Sequence, residues 1–410
     1  ATGSASWNTT VKTGDFTAVA GEGYFVNTTS GAINVTLPAG TAGAVVAIKD
    51  YAGTFDTNKV TLVQNGSDKI GGSTVNATLD VEGIAVTLVF IDSTQGWLVT
   101  DSGLQSEVPT AAYICASSPS VATVGDYKIH TFTGPGTFTV NSVGNATGSN
   151  TVDYLVVAGG GGGGGATNYN AAAGGAAGGY RFSNGTASGS YCAGPAPLGA
   201  TALPVSVQGY SIAVGAGGSV GGGGADGSQG ATSTFSTISS AGGGHGAGYT
   251  PSPRQGGNGG SGGGSAGGSP SGGTGNTPPV SPPQGNNGGN TSGTSGSAAS
   301  AGGGGAGGVG GNSSNPGCQG GSGGAGLTSV ITNSPVARGG GGAGGNDYAQ
   351  STNNATASAG GGGIGNGAPA SAGTVNTGGG GGGAGVNNTT VYTGGAGGSG
   401  IVVIRYKFQN

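Results

Sequence analysis

Hydrophobic and polar positions alternate along the first hundred residues in the manner of short β-strands. Short runs of β-branched and aromatic residues alternate with turns rich in Gly, Asn and Asp. The segments with this pattern are 15–19, 24–27, 32–37, 44–50, 59–64, 84–92 and 97–100. We therefore predict an all-β module over residues 1–102, in which Trp7 and Trp97 pack as large aromatics that close a small β-core.

Strand-like segments are fewer in the next part of the chain, residues 103–158. Residues 103–125 are mostly small and polar, which predicts a linker. The sequence YKIHTFTGPGTFTV at 127–140 predicts two strands around a tight turn, because Pro135 presets one turn dihedral and glycine adopts positive φ. We assign residues 126–158 to a β-hairpin and the strand that leads into a glycine-rich domain. His130 is expected on a strand, with a solvated or locally bonded ring.

Glycine runs replace the hydrophobic alternation from residue 159 onward. Most of the 105 glycines lie between residues 159 and 400, in runs such as 159–165 and 378–383. Strand-like segments bracket these runs, with TVDYLVVA before the first and IVVIRY after the last. A flexible linker, which is the alternative, needs no such strands at its ends. We therefore predict a folded glycine-rich domain over residues 159–410.

The physics of glycine indicates how such a domain could fold. An extended helix with three residues per turn makes no internal hydrogen bonds, so its N–H and C=O groups point outward. In a bundle these groups can be satisfied by neighbouring helices, provided that the backbones approach closely. We therefore predict packed polyglycine II helices on a small β-platform, with essentially no α-helix. Collagen is excluded because glycine does not recur at every third position and only 17 residues are proline.

A platform at one end of the bundle would leave polar loops at the other end. The predicted distal loops are 166–173, 225–230, 247–300, 346–358 and 386–393. They are rich in Asn, Tyr, Ser and Thr, a composition suited to adaptable polar recognition with aromatic anchors. The residues predicted to contact a receptor are Asn168, Tyr169, Asn170, Tyr249, Arg254, Asp347, Tyr348, Asn387, Asn388 and Tyr392. The alternative is that these loops only cap the bundle. Tyr180, Arg181 and Arg338 are expected nearer the platform.

Charge and composition exclude several classes of function. Charged residues make up 6% of the chain, and the net charge of −4 divides into −7 up to Asp153 and +3 after it. Neither part is basic enough for a nucleic-acid surface. No apolar stretch reaches the length of a membrane span. Cys115, Cys192 and Cys318 can form at most one disulfide. No cofactor or metal is expected, since the only histidines, His130 and His245, lie in different modules.

Catalysis is not expected either. Matches to GxGxxG occur throughout the glycine runs without the βαβ unit that would give them meaning. A glycoside hydrolase needs paired carboxylates beside a cleft, whereas only Asp226 and Asp347 follow Asp153, and they lie in separate loops.

Several stretches resemble known proteins. YKIHTFTGPGTFTV, VDYLVVAGGGGGGG and the terminal GGAGGSGIVVIRY resemble the glycine-rich domain of bacteriophage tail-fibre adhesins. FTAVAGEGYFVNTTSGAINVTLP and TLVFIDSTQGWLV resemble modules of marine bacteriophage tail fibres. The resemblance implies a sandwich of polyglycine helices whose variable loops bind host receptors, and a homotrimeric fibre in the virion beside other tail proteins. The long segment 247–300 departs from a compact adhesin.

These observations lead to one interpretation and one alternative. We expect a non-enzymatic tail-fibre adhesin that recognises an outer-membrane protein or surface glycan of a bacterium, without nucleic acid or membrane insertion. The alternative is a structural extracellular glycine-rich filament or sheath subunit, in which the loops mediate self-assembly. Because the chain begins at Ala1 without Met, we expect a processed protein or the distal piece of a longer one.

Overall fold

The chain forms two compact units, residues 1–110 and 111–410. The computed structural model describes residues 5–104, 111–145, 148–188, 199–250, 252–268, 271–291, 299–314, 318–346, 355–365, 368–387 and 390–409. Within these residues the only regular helix is a short 3-10 turn at Thr186–Ser188, and all other regular elements are strands. The predicted all-β class is therefore confirmed.

The described residues of the first unit, 5–104, form nine strands. They are β1 Ser6–Lys12, β2 Phe16–Thr17, β3 Glu22–Val26, β4 Ile33–Thr36, β5 Val45–Asp50, β6 Val60–Val63, β7 Ala77–Leu79, β8 Ile84–Phe90 and β9 Trp97–Leu104. Every segment predicted from alternation contains a strand. β1 and β7 were not predicted, because β1 is mostly exposed and polar and β7 has only three residues.

Successive strands of this unit alternate between two sheets. β1, β3 and β5 pair in parallel in one sheet, while β2, β4 and β6 pair in parallel in the other. β8 and β9 then extend the first sheet in antiparallel fashion, and β7 extends the second. The apolar core lies between the sheets and includes Tyr24, Ile48 and Leu62.

The two tryptophans have different environments. Trp97 is fully buried in the core, as predicted. Trp7 is 45% exposed and lies against Phe25, with their ring centroids 5.0 Å apart. The expectation that Trp7 closes the core is therefore wrong, because its position in β1 directs it to the outer face of the sheet.

The second unit contains fifteen strands among its described residues. They are β10 Cys115–Ser117, β11 Val121–Val124, β12 Tyr127–Phe132, β13 Gly136–Ser142, β14 Thr151–Val157, β15 Tyr180–Phe182, β16 Leu203–Pro204, β17 Gly209–Ala213, β18 Ser233–Phe235, β19 Ile238–Ser240, β20 Leu327–Ser329, β21 Val336–Arg338, β22 Val386–Asn387, β23 Thr390–Val391 and β24 Ile401–Lys407.

Two sheets form the platform of this unit. One has the order β11-β12-β24-β14-β15, with β16 also paired to β14, and the other has the order β10-β13-β17-β18-β19. β14 and β24 are buried on both faces, since their alternate residues enter two different apolar clusters. Burial on both faces explains why these strands are continuous apolar runs rather than alternating ones.

Two predictions about the start of this unit are wrong. β12 and β13 do not pair with each other; β12 pairs with β24 and β13 pairs with β10 and β17. The Gly-Pro-Gly turn thus carries the chain from one sheet to the other, not around a hairpin. The predicted linker 103–125 also contains strands β10 and β11. Both are largely exposed edge strands, which need few apolar residues.

The glycine-rich runs are held by backbone hydrogen bonds in a repeat of three. In the run 172–179, the N–H groups of residues 172, 175 and 178 donate to one neighbour, 173 and 176 to a second, and 174 and 177 to a third. The carbonyls of residues 172–177 accept from three further runs, and the N···O distances of all these bonds lie between 2.8 and 3.1 Å. The neighbouring runs are 159–166, 241–248, 261–267, 299–306, 339–346 and 378–385.

This repeat has a simple geometric meaning. A chain with three residues per turn presents three donor directions and three acceptor directions, as an extended polyproline II-type helix does. The backbone groups of residues 172–177 therefore find partners in all six neighbours, and no side chain is needed to satisfy them.

The segment 247–300 corrects a further prediction. It is not a distal loop, because much of its described part forms additional runs of the bundle. Gly264 donates to Gly174, and Gly288 donates to Gly273. Its proline-rich part lies at the platform end, where Tyr180 N–H donates to the carbonyl of Gln284. The Pro, Ser and Asn residues made this stretch look like a loop, although its glycines pack as the others do.

Candidate binding surface at the loop end of the bundle

The ends of the runs opposite the platform meet at one surface. The N–H groups of the run 159–165 donate to carbonyls of the run 225–231. The residue numbers of the donors increase as those of the acceptors decrease, so these neighbouring runs are antiparallel. At the far end, Ala166 N–H donates to the carbonyl of Tyr392, and Val386 N–H donates to that of Asn346. We call the surface formed by residues 166–170, 223–226, 248–250, 252–254, 386–387 and 390–392 the loop end.

A tight turn presents two of the predicted contact residues. The backbone groups of Thr167 and Asn170 exchange hydrogen bonds at 3.0 and 3.3 Å. The Asn170 amide also donates to the Thr167 hydroxyl at 3.3 Å. This closure leaves Asn168 and Tyr169 at the tip, where Tyr169 is 71% exposed. Tyr169 is thus held on a short, bonded turn and offers its ring to solvent.

Arg254 and Tyr249 are engaged with each other. The guanidinium carbon of Arg254 lies 3.7 Å from the ring centroid of Tyr249, a cation–π arrangement. Arg254 also donates to the carbonyls of Tyr249 and Gly267, at 2.9 and 2.7 Å. These contacts fasten the turn between two runs, and Tyr249 is half-buried.

Tyr392 packs against a small apolar cluster of the bundle. Its ring packs on Ala166, Ala172, Ala384 and Val386, and it is half-buried. The hairpin of β22 and β23 carries it beside the turn of Tyr169. Asn387 lies in β22 and pairs with Thr390, but its side chain lies outside the described part of the chain. Asp347, Tyr348 and Asn388 also lie outside the described residues.

The structure also contains a histidine–carboxylate pair that was not predicted from the sequence. His245 Nε2 lies 3.8 Å from Asp226 Oδ2, and Asp226 also accepts the N–H of Gly248 at 2.7 Å. The two residues belong to neighbouring antiparallel runs, so only the hydrogen-bond register brings them together. The geometry ties two runs near the loop end.

The platform end holds the polar residues that were expected there. Tyr180 and Arg181 lie in β15, and Arg338 ends β21. Tyr180 and Arg338 are buried. Burial raises the pKa of Tyr180 to about 12.

His130 lies on a strand, as predicted, and of the two expected environments its ring has the bonded one. It is fully buried rather than solvated. Its Nδ1 lies 2.7 Å from Ser118 Oγ, and its Nε2 lies 3.2 Å from the hydroxyl of Tyr406. Burial, together with the charge of Lys128, lowers the pKa of His130 to about 4. This imidazole is therefore a neutral hydrogen-bonding group of the platform core at neutral pH.

Other site chemistry was sought across the described residues. They contain no group of three His, Cys, Asp or Glu side chains placed to hold a metal ion. They also contain no helix with the length and hydropathy to cross a membrane.

Comparison with known families decides the class of the second unit. The family model of the glycine-rich domain matches residues 132–407, about two thirds of the chain. This protein belongs to the glycine-rich domain family. The match begins at the last residue of β12 and ends with β24, so this glycine-rich domain includes β13 to β24 and the runs between them, whereas β10, β11 and most of β12 precede it. A search of the curated proteins finds no match.

Proposed function

We propose that this protein is a non-enzymatic bacteriophage tail-fibre adhesin, which holds a bacterial surface receptor at the loop end of its glycine-rich domain. The receptor would be an outer-membrane protein or a surface glycan. In this proposal the runs are polyglycine II helices, and the chain assembles as a homotrimer with other tail proteins. No cofactor, nucleic acid or membrane insertion is required.

One observation carries the proposal. A bundle fixed by backbone hydrogen bonds presents Tyr169 at the tip of a closed turn, where the residue is 71% exposed. An exposed aromatic on a rigid support loses little conformational freedom when it binds, which is the usual advantage of tyrosine in binding surfaces. The half-buried rings of Tyr249 and Tyr392 lie in the same surface and would extend it.

The second function to be tested is that of a filament subunit. There the same loops would contact another copy of the chain. The two functions differ in what the loop end binds, so a single set of variants can distinguish them.

The test uses purified full-length protein and intact cells of candidate hosts. We expect Tyr169→Ala to weaken cell binding at least about tenfold, the loss associated with a contact worth roughly 1.4 kcal/mol. Val375→Ala is the matched control, because Val375 is 67% exposed but lies near the platform end. Replacement of residues 346–358 and 386–393 by Gly and Ser should abolish binding while the fold is retained.

Two results would count against the proposal. If Tyr169→Ala and the loop replacements bind host cells as the wild type does, the loop end is not the receptor surface. If the wild type binds no candidate host but forms fibres that the loop replacements do not form, the filament function is correct.

A further inference from the structure

A groove lies on the outer face of the five-stranded sheet of the first unit. Its lining includes Thr9, Phe25, Lys49, Tyr51 and Glu82, and its volume is about 560 Å³. This size falls within the roughly 300–1,000 Å³ typical of small-molecule sites. All lining residues belong to the first unit, so the groove is separate from the loop end.

Strand alternation places these side chains together. Tyr24, Val26 and Ile48 face the core, so the intervening residues Phe25 and Lys49 face outward. β1, β3 and β5 pair in parallel, which places their outward residues side by side across the sheet.

One wall of the groove is aromatic. Trp7 packs on Phe25 from outside the groove, and Gly23 leaves room for the indole, since a β-carbon at Gly23 would lie 2.9 Å from it. Tyr51, another lining residue, is 58% exposed. Two aromatic rings, one of them supported from behind by Trp7, are thus available to a ligand.

The polar part of the groove is held in place before any ligand binds. The buried carboxylate of Asp50 accepts the backbone N–H groups of residues 52–55 and of Gly83, at 2.9–3.3 Å. Lys49 donates its ammonium to the carbonyl of Gly83. These bonds fix the loop after β5 against the turn before β8, and a preorganised site spends less free energy on ordering when it binds.

The chemistry of the lining identifies a class of ligand. The C–H groups on one face of a pyranose ring form an apolar patch that fits an aromatic face, while its hydroxyls both donate and accept hydrogen bonds. Lys49 offers donors, Glu82 offers acceptors and Thr9 offers both. The lining holds one ammonium, Lys49, and two carboxylates, Asp50 and Glu82. The Asp50 carboxylate is already bonded to five backbone N–H groups, which leaves Lys49 and Glu82 to offset each other and favours a neutral ligand.

We propose that this groove is a second binding site of the protein, for a neutral hexose unit of a glycan. The sugar ring stacks on Tyr51 and Phe25, and its hydroxyls bond to Lys49, Glu82 and Thr9. This site is independent of the receptor surface proposed above, because no loop-end residue lines it.

Saturation-transfer NMR on the full chain tests the site with the methyl glycosides of glucose, galactose, mannose and N-acetylglucosamine. We expect at least one to bind saturably with a dissociation constant of about 1–10 mM, the range of a single small ligand with few contacts. Tyr51→Ala should weaken that binding at least about fivefold, or roughly 1 kcal/mol. Ile91→Ala is the control, since Ile91 is an exposed apolar residue of the same unit outside the groove lining.

The outcomes are distinguishable. No saturable signal from any glycoside up to about 50 mM, roughly fivefold above the upper end of the expected range, would overturn the site. So would equal binding by Tyr51→Ala and the wild type, provided both unfold at the same temperature. Glucuronic acid and glucosamine serve as charged probes: tighter binding of either one, with an affinity that falls steeply as salt is added, would contradict the neutral class.

Discussion

At the scale of single residues, the runs of the bundle can approach one another closely because glycine has no β-carbon. At Gly163 a β-carbon would overlap the carbonyl oxygen of Gly382, and at Gly161 that of Gly244. The obstacle in each case is backbone of another run, which cannot rotate away as a side chain can. Alanine does occur in the runs, at Ala172 and Ala176, where the neighbours leave room for a methyl group.

Gly163→Ala should therefore destabilise the second unit. We expect a loss of about 1–3 kcal/mol in the free energy of unfolding, the usual cost of overpacking. Gly222→Ala is the matched control, because nothing lies within 4 Å of a β-carbon there. It should be neutral or stabilise by up to about 1 kcal/mol, through the lower entropy of the unfolded chain. Chemical denaturation measures both, and equal values for the two variants would contradict the close approach of the runs.

His130 makes the stability of the platform depend on pH. Its pKa of about 4 in the folded state lies below the ordinary histidine pKa of 6.5. Between these values the unfolded chain binds a proton that the folded chain does not, so stability is lost as pH falls from about 6.5 towards 4. The loss should total about 3 kcal/mol, from roughly 1.4 kcal/mol for each pKa unit.

Urea denaturation at several pH values between about 4 and 7 measures this dependence against the unfolded reference pKa of about 6.5. His130→Asn removes the titrating group, so its stability should change less with pH than that of the wild type. Only the difference in slope is diagnostic, since the variant also loses hydrogen bonds to Ser118 and Tyr406. Parallel pH profiles for the two proteins would contradict the assigned role of His130.

At the scale of elements, local sequence predicted strands well and their partners poorly. The segments of β3, β5 and β8 were evident because β-branched residues alternate over a buried face. The prediction of a hairpin between β12 and β13 was wrong, because β12 pairs with β24 instead. In that pairing Tyr127 lies opposite Lys407, which is at the far end of the chain. A turn sequence fixes a change of direction but does not reveal which sheet receives the next strand.

The loop end could be predicted only in part, for the same reason. The turn of Asn168 and Tyr169 follows from a polar break between two glycine runs. The fastening role of Arg254 could not be foreseen, because it depends on Gly267, which belongs to another run. The pair of His245 and Asp226 likewise depends on the register in which two runs pair. That register cannot be predicted from the sequence, because one glycine in a run is the same as the next.

β24 should be essential to the platform, because it is the central strand of its sheet and pairs with both β12 and β14. Val403→Asp places a carboxylate at a fully buried position of this strand, and burial of an unpaired charge costs several kcal/mol. We expect this variant to lose cooperative unfolding of the second unit. Val121→Asp is the control on the exposed edge strand β11 and should change stability by no more than about 0.5 kcal/mol.

Limited proteolysis and thermal unfolding of the full chain measure these effects. If Val403→Asp resisted proteolysis as well as Val121→Asp does, the central position of β24 would be contradicted.

At the scale of the whole molecule, the two units differ in the kind of surface that folding buries. The first unit has one apolar core between its sheets. Much of the second unit buries backbone amides that are bonded between runs, and its apolar clusters lie mainly in the platform. Exposure of apolar surface raises the heat capacity, whereas exposure of polar surface lowers it.

Unfolding of the second unit should therefore show an unusually small heat-capacity change. We expect less than the usual value of about 12–15 cal/mol/K per residue. Differential scanning calorimetry measures the quantity, and tryptophan fluorescence identifies the first unit, since both Trp7 and Trp97 belong to it. A normal or larger value for the second unit would mean that its interior is as apolar as an ordinary core.

The repeat of three in the bundle has a consequence for insertions and deletions. Because the hydrogen-bond partners repeat every three residues, a single inserted residue moves every later donor and acceptor in its run to a different neighbour. A run can therefore change length without losing its partners only by multiples of three residues. Residues beyond the last hydrogen-bonded position of a run are not restricted in this way. We therefore expect that the turn of Tyr169 can gain or lose any number of residues without a change in the hydrogen bonds between the runs beneath it.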